Sequence, residues 1–268
     1  MNVWVIGASR GIGLGLVERY LAQGAQVLAL VRAPNAALDA LVATAKGRLR
    51  VVTGDLCDPD LGTRLLEELR PGSLDRLIVN AGIMGPAEED GQRATAAELG
   101  ELFLTNAVAP LRLLDALAPR MAAEGVMACL SSQMGSISLA RSTEMPLYGA
   151  SKAALNSLLQ SWVAGRQPAF AVLALHPGWV RTELGGASAP VEVADSVAGL
   201  VATIEARVGQ SGSAFLDYRA RPCPGEPVAG SLRRAERSGP CPAAGEGRRC
   251  GHYPLGVPSC ASMIEPSW

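Results

Sequence analysis

The sequence lacks most of what marks a membrane, secreted or nucleic-acid-binding chain. No uninterrupted apolar run approaches the roughly 18 residues that cross a bilayer, so no membrane span or membrane partner is expected. The first residues hold no basic region and no cleavage site, because Asn2-Val3-Trp4-Val5-Ile6 runs straight into glycine. That excludes an ordinary signal peptide and leaves a cytoplasmic address as the expectation. Net charge is nearly absent too. With 24 basic against 25 acidic residues the balance is −1, which gives nucleic acid no electrostatic reason to bind. Cysteine is scarce where a core must form: only Cys57 and Cys129 precede Cys223, Cys241, Cys250 and Cys260. None of these spacings reads as a zinc site or a disulfide framework, so free thiols and no metal are expected. Histidine is limited to His176 and His252, which lack metal-ligand spacing; His176 is read as structural.

What is present suits one large α/β domain. A chain of 268 residues with 49% hydrophobic and 18% charged residues can bury a sheet between helical layers. Strands are predicted near 2–6, 26–31, 49–53, 74–79, 126–131, 170–175 and 213–217. Helices are predicted near 11–22, 36–46, 59–69, 95–122, 146–165 and 190–208. Runs such as Val27-Leu28-Ala29-Leu30-Val31 are apolar throughout, as a parallel strand covered on both faces requires. Regular β-α alternation then predicts a doubly wound parallel sheet of Rossmann type with about seven strands. The long helix at 95–122 must tolerate Pro110 and Pro119, so a kink or break is expected there. A compositional break follows Tyr218. Residues 219–268 hold eight of the 18 prolines and a formal charge of +3 against −4 for residues 1–218. Two segments follow from this: a domain at 1–218 and an irregular, Pro/Gly/Arg-rich tail at 219–268.

Gly7-Ala8-Ser9-Arg10-Gly11-Ile12-Gly13 lies between the first strand and the first helix. Glycines there let the backbone turn sharply and approach a pyrophosphate, and the helix N-terminus offers amide donors to the anion. A carboxylate at the end of the second strand would bind the 2′-hydroxyl of NAD(H). Here that strand ends Leu30-Val31-Arg32, without an acid, so Arg32 and Arg10 could clasp a 2′-phosphate. NADP(H) is therefore expected over NAD(H).

Tyr148-Gly149-Ala150-Ser151-Lys152 heads a predicted helix, and a spacing of four residues puts phenol and ammonium on one face. A nearby cation favours the phenolate, so a lowered Tyr148 pKa is expected, suited to a general acid or base. Ser131 and Ser132 end the fifth strand, where ligands of open α/β sheets bind. Ser132 is the candidate to hold a substrate oxygen, with Ser131 the alternative. Asn106 lies within a helix, where its amide competes for backbone partners, so a functional reason for it is plausible.

Together these motifs resemble the short-chain dehydrogenase/reductase superfamily over residues 7 to about 218. Ser131-Ser132-Gln133-Met134-Gly135-Ser136, His176-Pro177-Gly178-Trp179-Val180-Arg181-Thr182 and the 16-residue step from Ser132 to Tyr148 are similar to its C-factor and sniffer-type carbonyl reductase branch. The resemblance implies further cofactor contacts. These are Asp55 and Leu56 at the adenine (Asp55 reads equally as an Asp turn or helix cap), Asn80-Ala81-Gly82, and Pro177, Gly178, Val180 and Thr182 at the nicotinamide carboxamide. It implies hydride transfer between NADP(H) and a small carbonyl or alcohol, with Tyr148 moving the proton, Ser132 steadying the oxygen, Lys152 binding the nicotinamide ribose and Asn106 holding a water. It also implies a homodimer or homotetramer. The alternative is a C-factor-like signalling protein that binds the dinucleotide with little turnover. The tail departs from the family, and a shifted reading frame or a lineage-specific extension would each explain it.

Overall fold

The computed structural model describes residues 1–67, 69–86, 93–139, 145–224 and 233–234. Its sheet is built from β1 (Asn2–Ile6), β2 (Gln26–Val31), β3 (Leu49–Thr53), β4 (Leu74–Val79), β5 (Met121–Leu130), β6 (Ala171–His176) and β7 (Gln210–Asp217). All seven are parallel, in the order β3-β2-β1-β4-β5-β6-β7. A two-residue β8 (Arg233–Arg234) adds antiparallel to Gln210 and Ser211.

Alternation along each buried strand sorts its side chains into two cores. Val3, Val5, Val27 and Ala29 pack with Leu16, Val17 and Tyr20 of α1 (Gly11–Ala22) and with Leu200 and Ile204 of α7 (Val193–Glu205). Trp4, Ile6, Leu28 and Leu77 face the other way. There they meet Leu61 and Leu65 of α3 (Leu61–Leu66), Leu113, Leu114 and Leu117 of α5 (Ala109–Leu117), and Leu155 and Leu159 of α6 (Pro146–Arg166). Both faces of the sheet are thus dry, which is why its strands read as continuous apolar runs. The strand order reverses between β1 and β4, opening a crevice at their carboxyl ends.

Helix α2 spans Ala36–Thr44, capped by the Asn35 side chain. The long predicted helix is interrupted, but not where the prolines alone would place the break. It runs as α4 (Ala96–Phe103), a π turn at Leu104–Val108, α5, and a 3₁₀ turn at Ala118–Arg120. Pro110 has no N–H to return to the Asn106 carbonyl four residues back, and the extra residue of the π turn absorbs that defect one turn upstream. The Thr95–Glu98 capping box fixes the start of α4. By length and composition Ala96–Arg120 could cross a membrane, yet Leu102, Ala107, Leu113, Leu114 and Leu117 are buried within the protein.

The expected irregular tail begins with ordered backbone. Asp217 accepts from the N–H groups of Arg219 and Arg221, Cys223 N–H donates to the Phe215 carbonyl, and Ser136 donates to the Pro224 carbonyl. Residues 225–232 and 235–268 lie outside the described ones.

Candidate active site

The turn after β1 is held open by backbone geometry. Gly7 and Gly11 have φ of +86° and +54°, a region that side chains disfavour. A Cβ on Gly13 would lie 2.1 Å from the Gly7 carbonyl oxygen, so helix α1 can begin here only on glycine. Asn80, just beyond β4, donates its amide to that same carbonyl at 2.6 Å, and Ala81 packs against Gly7. Ser9 is fixed through its carbonyl by the Asn35 amide at 2.7 Å. Ile12 packs into the core.

Helix α1 has no side-chain cap and no acidic residue in its first turn. Its N-terminal amides and positive dipole end are therefore left to an anion, which fits the diphosphate of a dinucleotide. Arg32 is exposed at the end of β2, with no acidic neighbour in sequence. Arg10 is already paired: its Nε lies 3.0 Å from the Glu183 carboxylate. Asp55 is exposed and accepts from Cys57 N–H at 2.8 Å, an Asp turn rather than a helix cap; Leu56 beside it is buried.

Tyr148, Lys152 and Ser132 converge at the carboxyl end of β5. Lys152 is buried, and its ammonium donates to the Leu130 carbonyl at 2.8 Å and stands 5.7 Å from the centre of the Tyr148 ring. Burial pulls the Lys152 pKa down to about 8, only partly opposed by the Cys129 thiol. The expected lowering of Tyr148 does not occur. Burial pushes its phenol up to about 12, because the ammonium is directed at a carbonyl and desolvation dominates. The Tyr148 hydroxyl has no hydrogen-bond partner among the described residues, and neither does the Ser132 proton, whose oxygen accepts from Met134 N–H at 3.2 Å. The Ser131 hydroxyl, by contrast, donates to Asn156 at 2.7 Å.

Asn106 sits fully buried in the π turn. Its side-chain oxygen accepts from Ile83 N–H, and its amide donates to the Ile83 carbonyl, both at 2.8 Å, and to Ser151 at 3.0 Å. Both of its amide protons are thus committed to protein, and its oxygen already accepts one hydrogen bond. Gly82 fills the gap beside it: a Cβ would lie 3.2 Å from the Asn106 oxygen and 3.3 Å from the Lys152 ammonium.

Beyond β6, Gly178 has φ +89° over the Tyr218 ring, and Ser196 holds the Pro177 carbonyl at 2.7 Å. Val180 is buried and bridged to Val191, while its own N–H has no acceptor among the described residues. Thr182 reaches back to the first turn, its methyl 3.1 Å from where a Gly11 Cβ would be. His176 is half-buried, with Nδ1 unpartnered, and burial takes its pKa down to about 4.

Sequence reasoning missed Glu183, Asn35, Ser151 and Asn156. Two of them had local signals: Asn156 continues the Tyr148–Lys152 face by another four residues, and Asn35 directly precedes the helix predicted at 36–46, an N-cap position.

A parallel sheet with a glycine turn at its switch point and a Tyr/Lys pair across the crevice defines a nucleotide-dependent oxidoreductase. The chain belongs to the short chain dehydrogenase family, whose sequence model matches residues 1–192. It is similar to a carbonyl reductase from Pseudomonas aeruginosa solved in complex with NADP: 53% identity, TM-score 0.77, 82% of this chain and 97% of that one covered. Carbonyl reductase Sniffer of D. melanogaster is 29% identical, with TM-score 0.74 over 82% of this chain and 98% of its own. C-signal of Myxococcus xanthus is 35% identical over 156 residues, 57% of this chain and 93% of that protein. Family and branch agree with the motifs.

Proposed function

We propose that the protein reduces a ketone or aldehyde to an alcohol with NADPH. The observation that carries this reading is the pair of hydroxyl protons, on Tyr148 and Ser132, with no acceptor among the described residues, beside a buried lysine at the mouth of the nucleotide crevice. When bound, the reduced nicotinamide supplies the hydride. The protein's residues do the rest. Ser132 donates its free proton as a hydrogen bond to the carbonyl oxygen and stabilises the charge that develops there. Tyr148, held protonated by burial, gives its proton to that oxygen. Lys152 would hold the nicotinamide ribose, and the Asn106 carbonyl, which Pro110 cannot engage as an α-helical donor, would hold a water behind it. Val180 N–H and Thr182 would hold the carboxamide, and the first turn of α1 the diphosphate. Arg32, with Arg10, favours the 2′-phosphate of NADP(H), as does the NADP in the Pseudomonas aeruginosa carbonyl reductase.

Steady-state NADPH oxidation with a panel of aldehydes and ketones tests this. Wild type should turn over, and Tyr148→Phe should lose at least about 100-fold in kcat while still binding NADPH. A second reading, a C-signal-like signalling protein, is favoured by the 35% identity to C-signal. NADPH binding without turnover of any carbonyl by wild type would select it.

A further inference from the structure

Helix α6 carries polar side chains at Tyr148, Lys152 and Asn156, four residues apart and so on one face. The first two take part in the reaction proposed above. Asn156, eight residues beyond Tyr148, is half-buried. Its side-chain oxygen accepts from the Ser131 hydroxyl at 2.7 Å, and its amide donates to the Gly135 carbonyl at 3.4 Å. These two partners bracket Ser132. Ser131 precedes it, and Gly135 ends the 3₁₀ turn Gln133–Gly135 that Ser132 opens.

Within the turn, Gly135 N–H donates to the Ser132 carbonyl at 2.9 Å and Met134 N–H to the Ser132 hydroxyl at 3.2 Å. Those bonds move with the turn, so they cannot fix the distance from Ser132 to Tyr148. Contact with α6 sets how closely the turn approaches: a Cβ on Gly135 would stand 2.8 Å from the Lys152 carbonyl carbon and 3.0 Å from the Lys152 Cβ. The bonds from Asn156 set where along the helix it rests. The orientation of the Asn156 amide is dictated by its partners, because the reversed amide would face the Gly135 carbonyl with a second acceptor. A carboxylate at 156 would keep the Ser131 bond and repel Gly135.

Resting on the reductase reading above, we infer that Asn156 is a positioning residue for the reaction, holding the Ser132 turn in register with α6 so that the Ser132 and Tyr148 hydroxyls meet at one carbonyl oxygen. Two hydroxyls on separate elements must converge there, and a misplacement of about 1 Å can cost about 100-fold in rate. The hydride step is read as the single-turnover rate of NADPH oxidation by the full chain with 4-nitrobenzaldehyde. Wild type, Asn156→Asp and Ser131→Ala are compared, each also combined with Ser132→Ala. Asn156→Asp should slow the step about tenfold and Ser131→Ala about threefold, with the NADPH Kd changed by less than about twofold. In the Ser132→Ala background each change should cost under about twofold, because the hydroxyl being positioned is gone. A merely structural role would slow the step equally in both backgrounds. That result overturns the inference and leaves the reductase reading intact, as do wild-type rates for both Asn156→Asp and Ser131→Ala. Thermal melting checks folding, and if Asn156→Asp does not fold, Ser131→Ala carries the same comparison. If wild type binds NADPH but reduces neither this aldehyde nor any member of the panel above, the reductase reading fails and takes this one with it.

Discussion

Arg10 and Glu183 face each other across the mouth of the nucleotide crevice, and both are largely solvated. The carboxylate competes with any 2′-phosphate for the guanidinium. Glu183→Gln should therefore tighten NADPH about threefold and leave NADH unchanged, a small effect because exposed pairs contribute little. Fluorescence titration with the two dinucleotides checks it. Lys152 gives a pH dependence. Its pKa lies below the usual lysine value, at about 8, so the ammonium is present below that pH and is lost as pH rises through it. The NADPH Kd should rise over the same interval, and Lys152→Met should bind weakly at every pH without that inflection. A profile in the wild type as flat as in the variant would remove Lys152 from the cofactor site.

Among the elements, the junction of β1 and α1 tolerates least. Gly13→Ala would drive a methyl into the Gly7 carbonyl, which is itself fixed by Asn80 at 2.6 Å. Backbone cannot yield there as a flexible side chain could. Destabilisation of about 1–3 kcal/mol and loss of NADPH binding are expected, read by thermal melting and titration. The π turn shows a different coupling between sequence and element. Pro110 announced a defect in the long helix, but its position was set by Asn106, whose buried amide needs Ile83 and Ser151 as partners. A helix pattern carries the first fact and not the second, because Ile83 belongs to the segment after β4.

At the scale of the whole domain, one partly buried network joins α1, β4 and α7. Arg76 of β4 donates from Nε and Nη2 to the two oxygens of Glu205 at the end of α7, at 3.0 and 2.7 Å, and Tyr20 of α1 donates to Glu205 at 3.2 Å. Burial and the Glu205 charge both push the Tyr20 pKa up, so the phenol stays a donor. Glu205→Ala would strand the Arg76 guanidinium, whose side chain is 7% exposed. A loss of about 3 kcal/mol is expected, the low end for breaking a buried pair because solvent still reaches Glu205. Chemical denaturation measures it, and NADPH affinity in the folded variant should not change.

The alternation of strands and helices, the glycine turn and the Tyr148–Lys152 spacing were legible in sequence because each is local. A positive φ selects glycine within one residue, and four residues make one helical turn. The NADP(H) expectation was likewise local, resting on the residue type that ends β2. The direction of the Tyr148 shift was not, since it depends on burial and on a lysine turned toward Leu130. Nor were the Arg10–Glu183 pair, the engagement of the Ser131 hydroxyl by Asn156, and the network around Arg76, which joins residues 129 apart. Those outcomes belong to tertiary structure, because desolvation and ion pairing depend on which distant groups the fold brings within a few ångströms.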